Sequence, residues 1–98
     1  MSDGWLLTSG GDEPVVLRLP AGAVKTVGRT ARADFIVDAA LVSRLHCKLL
    51  VTGTGDLVVE DLGSTNGTLV NGNRIERETL KAGDTVTIGR MEFKVDHG

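Results

Sequence analysis

Apolar and polar residues alternate with a period of two along much of the chain. Val15, Leu17 and Leu19 alternate with Val16 and Arg18, Val86 and Ile88 with Thr85 and Thr87, and Met91, Phe93 and Val95 with Glu92, Lys94 and Asp96. That period puts one face of each segment in a core and the other in water, as half-buried antiparallel strands require. Short apolar runs predict further strands over Trp5–Ser9, Lys25–Val27, Phe35–Val37, His46–Thr52, Leu57–Asp61 and Thr68–Val70, with a short one near Arg74 and Ile75. The total is about ten strands. Thirteen glycines break the chain too often for helices of ordinary length.

Asn66-Gly67 and Asn71-Gly72 predict type I′ turns, because both residue types tolerate positive φ. Gly53–Asp56 and Gly83-Asp84 read as further turns, and only Asp38–Leu45 has room for about one helical turn. So many short strands in 98 residues close best as an all-β, two-sheet β-sandwich of mostly antiparallel strands. A single domain over residues 1–98 is expected, with loops gathered at the two ends of the sandwich.

Composition narrows the function classes. Hydrophobic residues make up 41% and charged residues 24%, enough for a modest core without disulfides or metal. A net charge of −2 exerts no general pull on nucleic acid or an anionic membrane, so any anion site must be local. Cys47 is the single cysteine and sits in an apolar run, which predicts a buried thiol in a reducing compartment. His46 and His97 stand without CxxC or HExxH spacing, so neither a metal nor a cofactor is expected. No run approaches the roughly 18 apolar residues of a membrane span, and Met1-Ser2-Asp3-Gly4 lacks the basic start of a secretory signal. The expectation is a cytoplasmic protein, monomeric as an isolated domain.

Three loops concentrate polar chemistry: Gly28-Arg29-Thr30-Ala31-Arg32-Ala33-Asp34, Val42-Ser43-Arg44-Leu45-His46 and Gly63-Ser64-Thr65-Asn66-Gly67-Thr68. Arginine forks, hydroxyl donors and glycine-exposed amides are the groups that hold an oxyanion such as phosphate. Singly, each residue has a plainer reading. Arg29 reads as a surface charge weakly paired with Asp34, Ser43 as a turn or cap hydroxyl, His46 as a strand-opening residue bonded to its own loop, and Asn66-Gly67 as a hairpin turn.

Jointly they read differently. Gly28-Arg29, Ser43-Arg44-Leu45-His46, Ser64-Thr65-Asn66-Gly67-Thr68 and Val70-Asn71-Gly72, followed by Leu80, Gly83-Asp84, Ile88-Gly89 and Phe93, resemble the forkhead-associated (FHA) domain from about Val15 to Val95. The resemblance implies an FHA/SMAD-like sandwich of about eleven strands that binds phosphothreonine peptides through loops at one end. It implies that Arg29 clamps the phosphate, that Ser43 donates its hydroxyl to it, and that Arg44 adds charge. Thr65 would lie against the phosphothreonine, and Asn66 would bond the peptide backbone. Gly28, His46 and Gly67 would support the site. Flanking specificity is implied for the loop ahead of Ser43, where Ala39, Ala40, Leu41 and Val42 carry no charge; Arg32 could supply one from the first loop. The implied partner is a phosphothreonine-containing protein in a serine/threonine kinase pathway, with no nucleic acid and no membrane.

Other classes fit less well. Ser43 as a nucleophile with His46 as base lacks a Gly-x-Ser-x-Gly elbow, and Gly53-Thr54-Gly55 lacks both a third glycine and a Gly-Lys-Ser/Thr sequence. Glu60 and Asp61 point to opposite faces of a strand, which leaves them solvated or capping a turn. The runner-up is the same fold used as a phosphate-independent interaction or assembly module. Thr8 is a candidate phosphorylation site for binding in cis, by position only.

Overall fold

The alternation seen in the sequence appears as burial. Leu17, Leu19, Phe93 and Val95 are buried, while Val16, Arg18, Lys94 and Asp96 between them face solvent. The computed structural model describes residues 4–98 and contains the strands β1 (Trp5–Ser9), β2 (Val16–Leu19), β3 (Val24–Gly28), β4 (Phe35–Ile36), β5 (Cys47–Val51), β6 (Leu57–Asp61), β7 (Thr68–Val70), β8 (Asn73–Ile75), β9 (Arg77–Leu80), β10 (Thr85–Ile88) and β11 (Met91–His97). One sheet runs β2-β1-β11-β10-β7-β8 and the other β4-β3-β5-β6-β9. The ladders are antiparallel except the short β3–β4 pair, where Val27 and Gly28 lie beside Phe35 and Ile36 in parallel. The two inner faces meet in a core of Leu7, Leu19, Val27, Leu49, Leu57, Val59, Ile88 and Phe93.

Four expectations need correction. No helix occurs among the described residues: Leu41 takes a left-handed φ of 69°, which a helical turn over Asp38–Leu45 cannot accommodate. Asn71-Gly72 does form the tight β7–β8 turn, with φ of 51° and 84°, but at Asn66-Gly67 only the glycine is left-handed. The physical reason is topological, since β6 and β7 belong to different sheets and the chain between them crosses the sandwich instead of folding into a hairpin. β9 is a strand the alternation missed, because Arg77, Glu78 and Thr79 are all exposed on a sheet edge and only Leu80 is buried. Thr8 sits inside β1, flanked by Val16 of β2 and Lys94 of β11, so its segment is held in the sheet and cannot swing out as a ligand for its own molecule.

Register places the loops. Val27 pairs with Cys47, and Cys47 pairs with Asp61. The end of β3, the start of β5 and the end of β6 therefore lie side by side, and the loops 29–34, 37–46 and 62–67 emerge at one end of the sandwich. At the other end Trp5 closes the core, its indole N–H donating to the Gly55 carbonyl at 2.9 Å and its ring lying 4.2 Å from that of His97.

Candidate functional site

The first two loops are joined through backbone at the mouth of β3. The Arg29 N–H donates to the Ser43 carbonyl at 2.9 Å, the His46 N–H to the Val27 carbonyl at 2.8 Å and the Val37 N–H to the Gly28 carbonyl at 2.7 Å. The chain passes so close over Gly28 that a Cβ there would stand 2.0 Å from the Arg44 carbonyl oxygen. Glycine is thus required for contact, not for conformation.

His46 ties these loops to the third. The ring is fully buried, its Nδ1 accepts the Ser43 backbone N–H at 3.1 Å, and its Nε2 lies 2.9 Å from the Gly67 carbonyl. A carbonyl can only accept and an N–H can only donate, so the ring is the neutral Nε2–H tautomer. Ser43 adds a second tie, its Oγ accepting the Thr65 N–H at 3.1 Å. Because that bond uses a lone pair, the hydroxyl proton of Ser43 remains available to a ligand. Asn66 donates from Nδ2 to the Leu41 carbonyl at 3.2 Å, which leaves its amide oxygen and second N–H free for a peptide backbone.

Asp61 organises the third loop, a role the sequence reading left at turn capping. Its Oδ2 accepts the Gly63 and Ser64 N–H groups, both at 3.1 Å, and its Oδ1 accepts the hydroxyls of Ser64 at 2.6 Å and Thr68 at 2.8 Å. Partial burial alone would raise its pKa, but the Ser64 and Thr68 bonds outweigh burial and hold the carboxyl below its usual range. The spacing Asp61-x-Gly63-Ser64 is the Asx-turn pattern that could have signalled this. Asp34 likewise does not pair with Arg29, as the surface-charge reading supposed. The Thr26 N–H at 2.9 Å and the Thr26 hydroxyl at 3.1 Å donate to its Oδ2, and those bonds lower its pKa.

The structure thus brings Arg29, Ser43, Arg44, Thr65 and Asn66 to one end. Ser43 is half-buried and the other four are exposed. Among the described residues the one ion pair is Lys48–Glu60 on β5 and β6, at 3.2 Å, so neither Arg29 nor Arg44 is neutralised by a carboxylate. Asp34 is bonded to Thr26 at the surface and Asp61 to the third loop. Two guanidinium groups, a hydroxyl donor and a carboxamide, none of them ion-paired with a carboxylate, are groups able to bind an oxyanion. Among the described residues no group of histidine, cysteine, aspartate and glutamate side chains could hold a metal ion, and no helix is long and apolar enough to cross a membrane.

A sequence model of the FHA domain matches residues 25–89. The chain belongs to the FHA domain family. It is 42% identical over 75 residues to an ABC transporter ATP-binding/permease protein of Mycobacterium tuberculosis, covering 76% of this chain and 8% of that protein. It is 38% identical over 68 residues to the glycogen accumulation regulator GarA of Mycolicibacterium smegmatis, covering 69% of this chain and 42% of GarA. This FHA chain therefore spans less than half of either relative. Its fold matches the FHA domain of the Chlamydia trachomatis CT664 protein with a TM-score of 0.87 and 29% identity, over 97% of this chain and 99% of that one. It also matches a chain from a structural and functional analysis of phosphothreonine-dependent FHA domain interactions, with a TM-score of 0.86 and 28% identity over 97% of each chain. Gly28, His46 and Gly67, which the resemblance implies as supports, are buried where the loops meet.

Proposed function

We propose that this chain is a non-catalytic phosphothreonine-recognition module acting downstream of serine/threonine kinases. The observation that carries the reading is the placement of Arg29 and Arg44, neither of them ion-paired, at one end with Ser43, Thr65 and Asn66, while Asp34 is bonded to Thr26 and Asp61 to the third loop. Mycobacterium tuberculosis EmbR, solved in complex with a low-affinity phosphopeptide, shares the fold with a TM-score of 0.81 at 29% identity over 97% of this chain and 24% of that one, which supports the same ligand class here. Arg29 and Arg44 attract the phosphate and carry most of the charge-assisted bonding. The Ser43 hydroxyl donates to it, Thr65 lines the phosphoresidue, and Asn66 pins the adjoining peptide backbone. Burial of the threonine methyl adds about 0.8 kcal/mol over phosphoserine.

The bonding of His46 argues against a hydrolytic role. Its Nδ1 faces the Ser43 backbone N–H instead of Oγ, and Nε2 is committed to Gly67, so Ser43 has no general base.

Titration of the domain with a degenerate phosphothreonine peptide pool, and with its phosphoserine and unphosphorylated counterparts, tests the reading. Binding should require the phosphate, favour phosphothreonine over phosphoserine by about fourfold, weaken with salt, and fall in Arg29→Ala by about 2 to 5 kcal/mol if the bound pair is well desolvated and by less if it is wet. Equal affinity for all three pools, or indifference to Arg29, would replace it with a phosphate-independent interaction module.

A further inference from the structure

Arg74 is a basic residue at this end that the phosphate reading leaves unused, as are Arg32 in the first loop and Arg90, whose N–H donates to the Ala40 carbonyl at 3.3 Å. Arg74 lies on β8 opposite Leu69 of β7, and its side chain runs back across Gly67. A Cβ on Gly67 would stand 2.6 Å from Arg74 Nε, 2.9 Å from Cζ and 3.1 Å from Cδ. The guanidinium therefore fills the space left by the missing glycine side chain. Gly67 has a φ of 83° and its carbonyl is held by His46, so the surface beneath Arg74 is fixed. The exposed Arg74 side chain thus crosses the backbone at the residue that follows Asn66.

Its charge is also uncommitted. Among the described residues Arg74 forms no ion pair. The exposed carboxylates at this end, Asp38 and Glu76, form none either, while Asp34 and Asp61 are occupied by Thr26, Gly63, Ser64 and Thr68. Arg74 thus stands on the β8 side of Asn66, with Ser43 and the Arg29 loop reached through Thr65 on the other. A peptide whose backbone bonds to Asn66 therefore sits at the residue adjoining the glycine that Arg74 crosses.

We infer that Arg74 forms a second anion subsite, reading one acidic or phosphorylated side chain that flanks the phosphothreonine. This rests on the phosphothreonine reading and adds a specificity residue to it from β8, outside the uncharged loop ahead of Ser43. The planar fork suits a carboxylate or a phosphate equally.

The test uses an alanine-rich peptide with a single phosphothreonine, in which glutamate is scanned through the four positions on each side and the best position is repeated with phosphoserine. Affinities are measured for the unaltered domain, Arg74→Gln and Arg29→Ala, and thermal melting checks that each variant is folded. In the unaltered domain one glutamate position should strengthen binding about three- to fivefold, the upper range for an exposed pair, and phosphoserine there should strengthen it further. Arg74→Gln should erase that gain while binding the glutamate-free phosphopeptide within twofold of the unaltered domain. A gain with phosphoserine alone would identify a doubly phosphorylated ligand and support the subsite. Phosphothreonine binding that needs Arg29 but shows no acid gain, a gain that survives Arg74→Gln, or uniform weakening of all peptides by Arg74→Gln would overturn the subsite and leave the proposed function intact. No phosphothreonine binding at all, or none that depends on Arg29, would remove both.

Discussion

Replacing Asp61 by alanine is expected to be the costliest single change near the site. The carboxylate accepts four hydrogen bonds, and three of their donors belong to buried residues: the Ser64 N–H, the Ser64 hydroxyl and the Thr68 hydroxyl. A buried donor left without a partner costs about 1 to 3 kcal/mol. Asp61 itself is half-exposed, so water can enter the gap and the lower figure applies, giving about 3 kcal/mol in all. That is a large part of the roughly 5 to 15 kcal/mol that stabilises a domain. Asp61→Asn should cost only about 1 to 2 kcal/mol, because the amide oxygen can still accept the two backbone N–H groups while the hydroxyls rotate to accept from its NH2.

Urea denaturation followed by the fluorescence of Trp5, the sole tryptophan and a buried one, measures both losses. The pH dependence has a definite sign. The folded Asp61 carboxyl titrates below its ordinary value of 3.8, so the stability it contributes is complete above that value and is lost as the pH falls through the folded pKa. The stability gap between the unaltered protein and Asp61→Asn should be flat from neutral pH down to about 4 and shrink in stronger acid. A loss below about 1 kcal/mol for Asp61→Ala, equal losses for the two variants, or a gap that widens on acidification would refute the reasoning.

Gly28→Ala should destabilise the domain by about 2 kcal/mol or more and weaken phosphopeptide binding, because its methyl collides with the Arg44 carbonyl and pushes the Arg29 and Ser43 loops apart. Calorimetric melting together with the peptide titration checks this, and an unchanged melting temperature would contradict it. Cys47 is fully buried, and burial pushes its thiol up to about 12. It should therefore resist a thiol reagent at pH 9, where an exposed cysteine is mostly thiolate, and react only as fast as the protein unfolds. Prompt stoichiometric labelling of the native protein would show the strand to be open.

The parts of this protein legible from its sequence are those that rest on local physics. Alternation in Leu17–Leu19, Val86–Ile88 and Phe93–Val95 follows from each strand having one wet face, and Asn71-Gly72 makes its turn because its two residues tolerate left-handed φ. The loop residues proposed for the site stood out as a combination, because oxyanion chemistry limits which side chains serve. Tertiary structure decided what depends on neighbours far along the chain. β9 exists because β6 offers an edge to pair with, and its own residues are exposed. Asn66-Gly67 spans two sheets instead of closing a hairpin, for a reason no dipeptide carries. Asp34 turned to Thr26 and not to Arg29, Asp61 became the anchor of the third loop, and Arg74 came to lie on Gly67. Each is a contact between segments whose separation is set by strand register, and register is a property of the packed sheets that no short window of sequence contains.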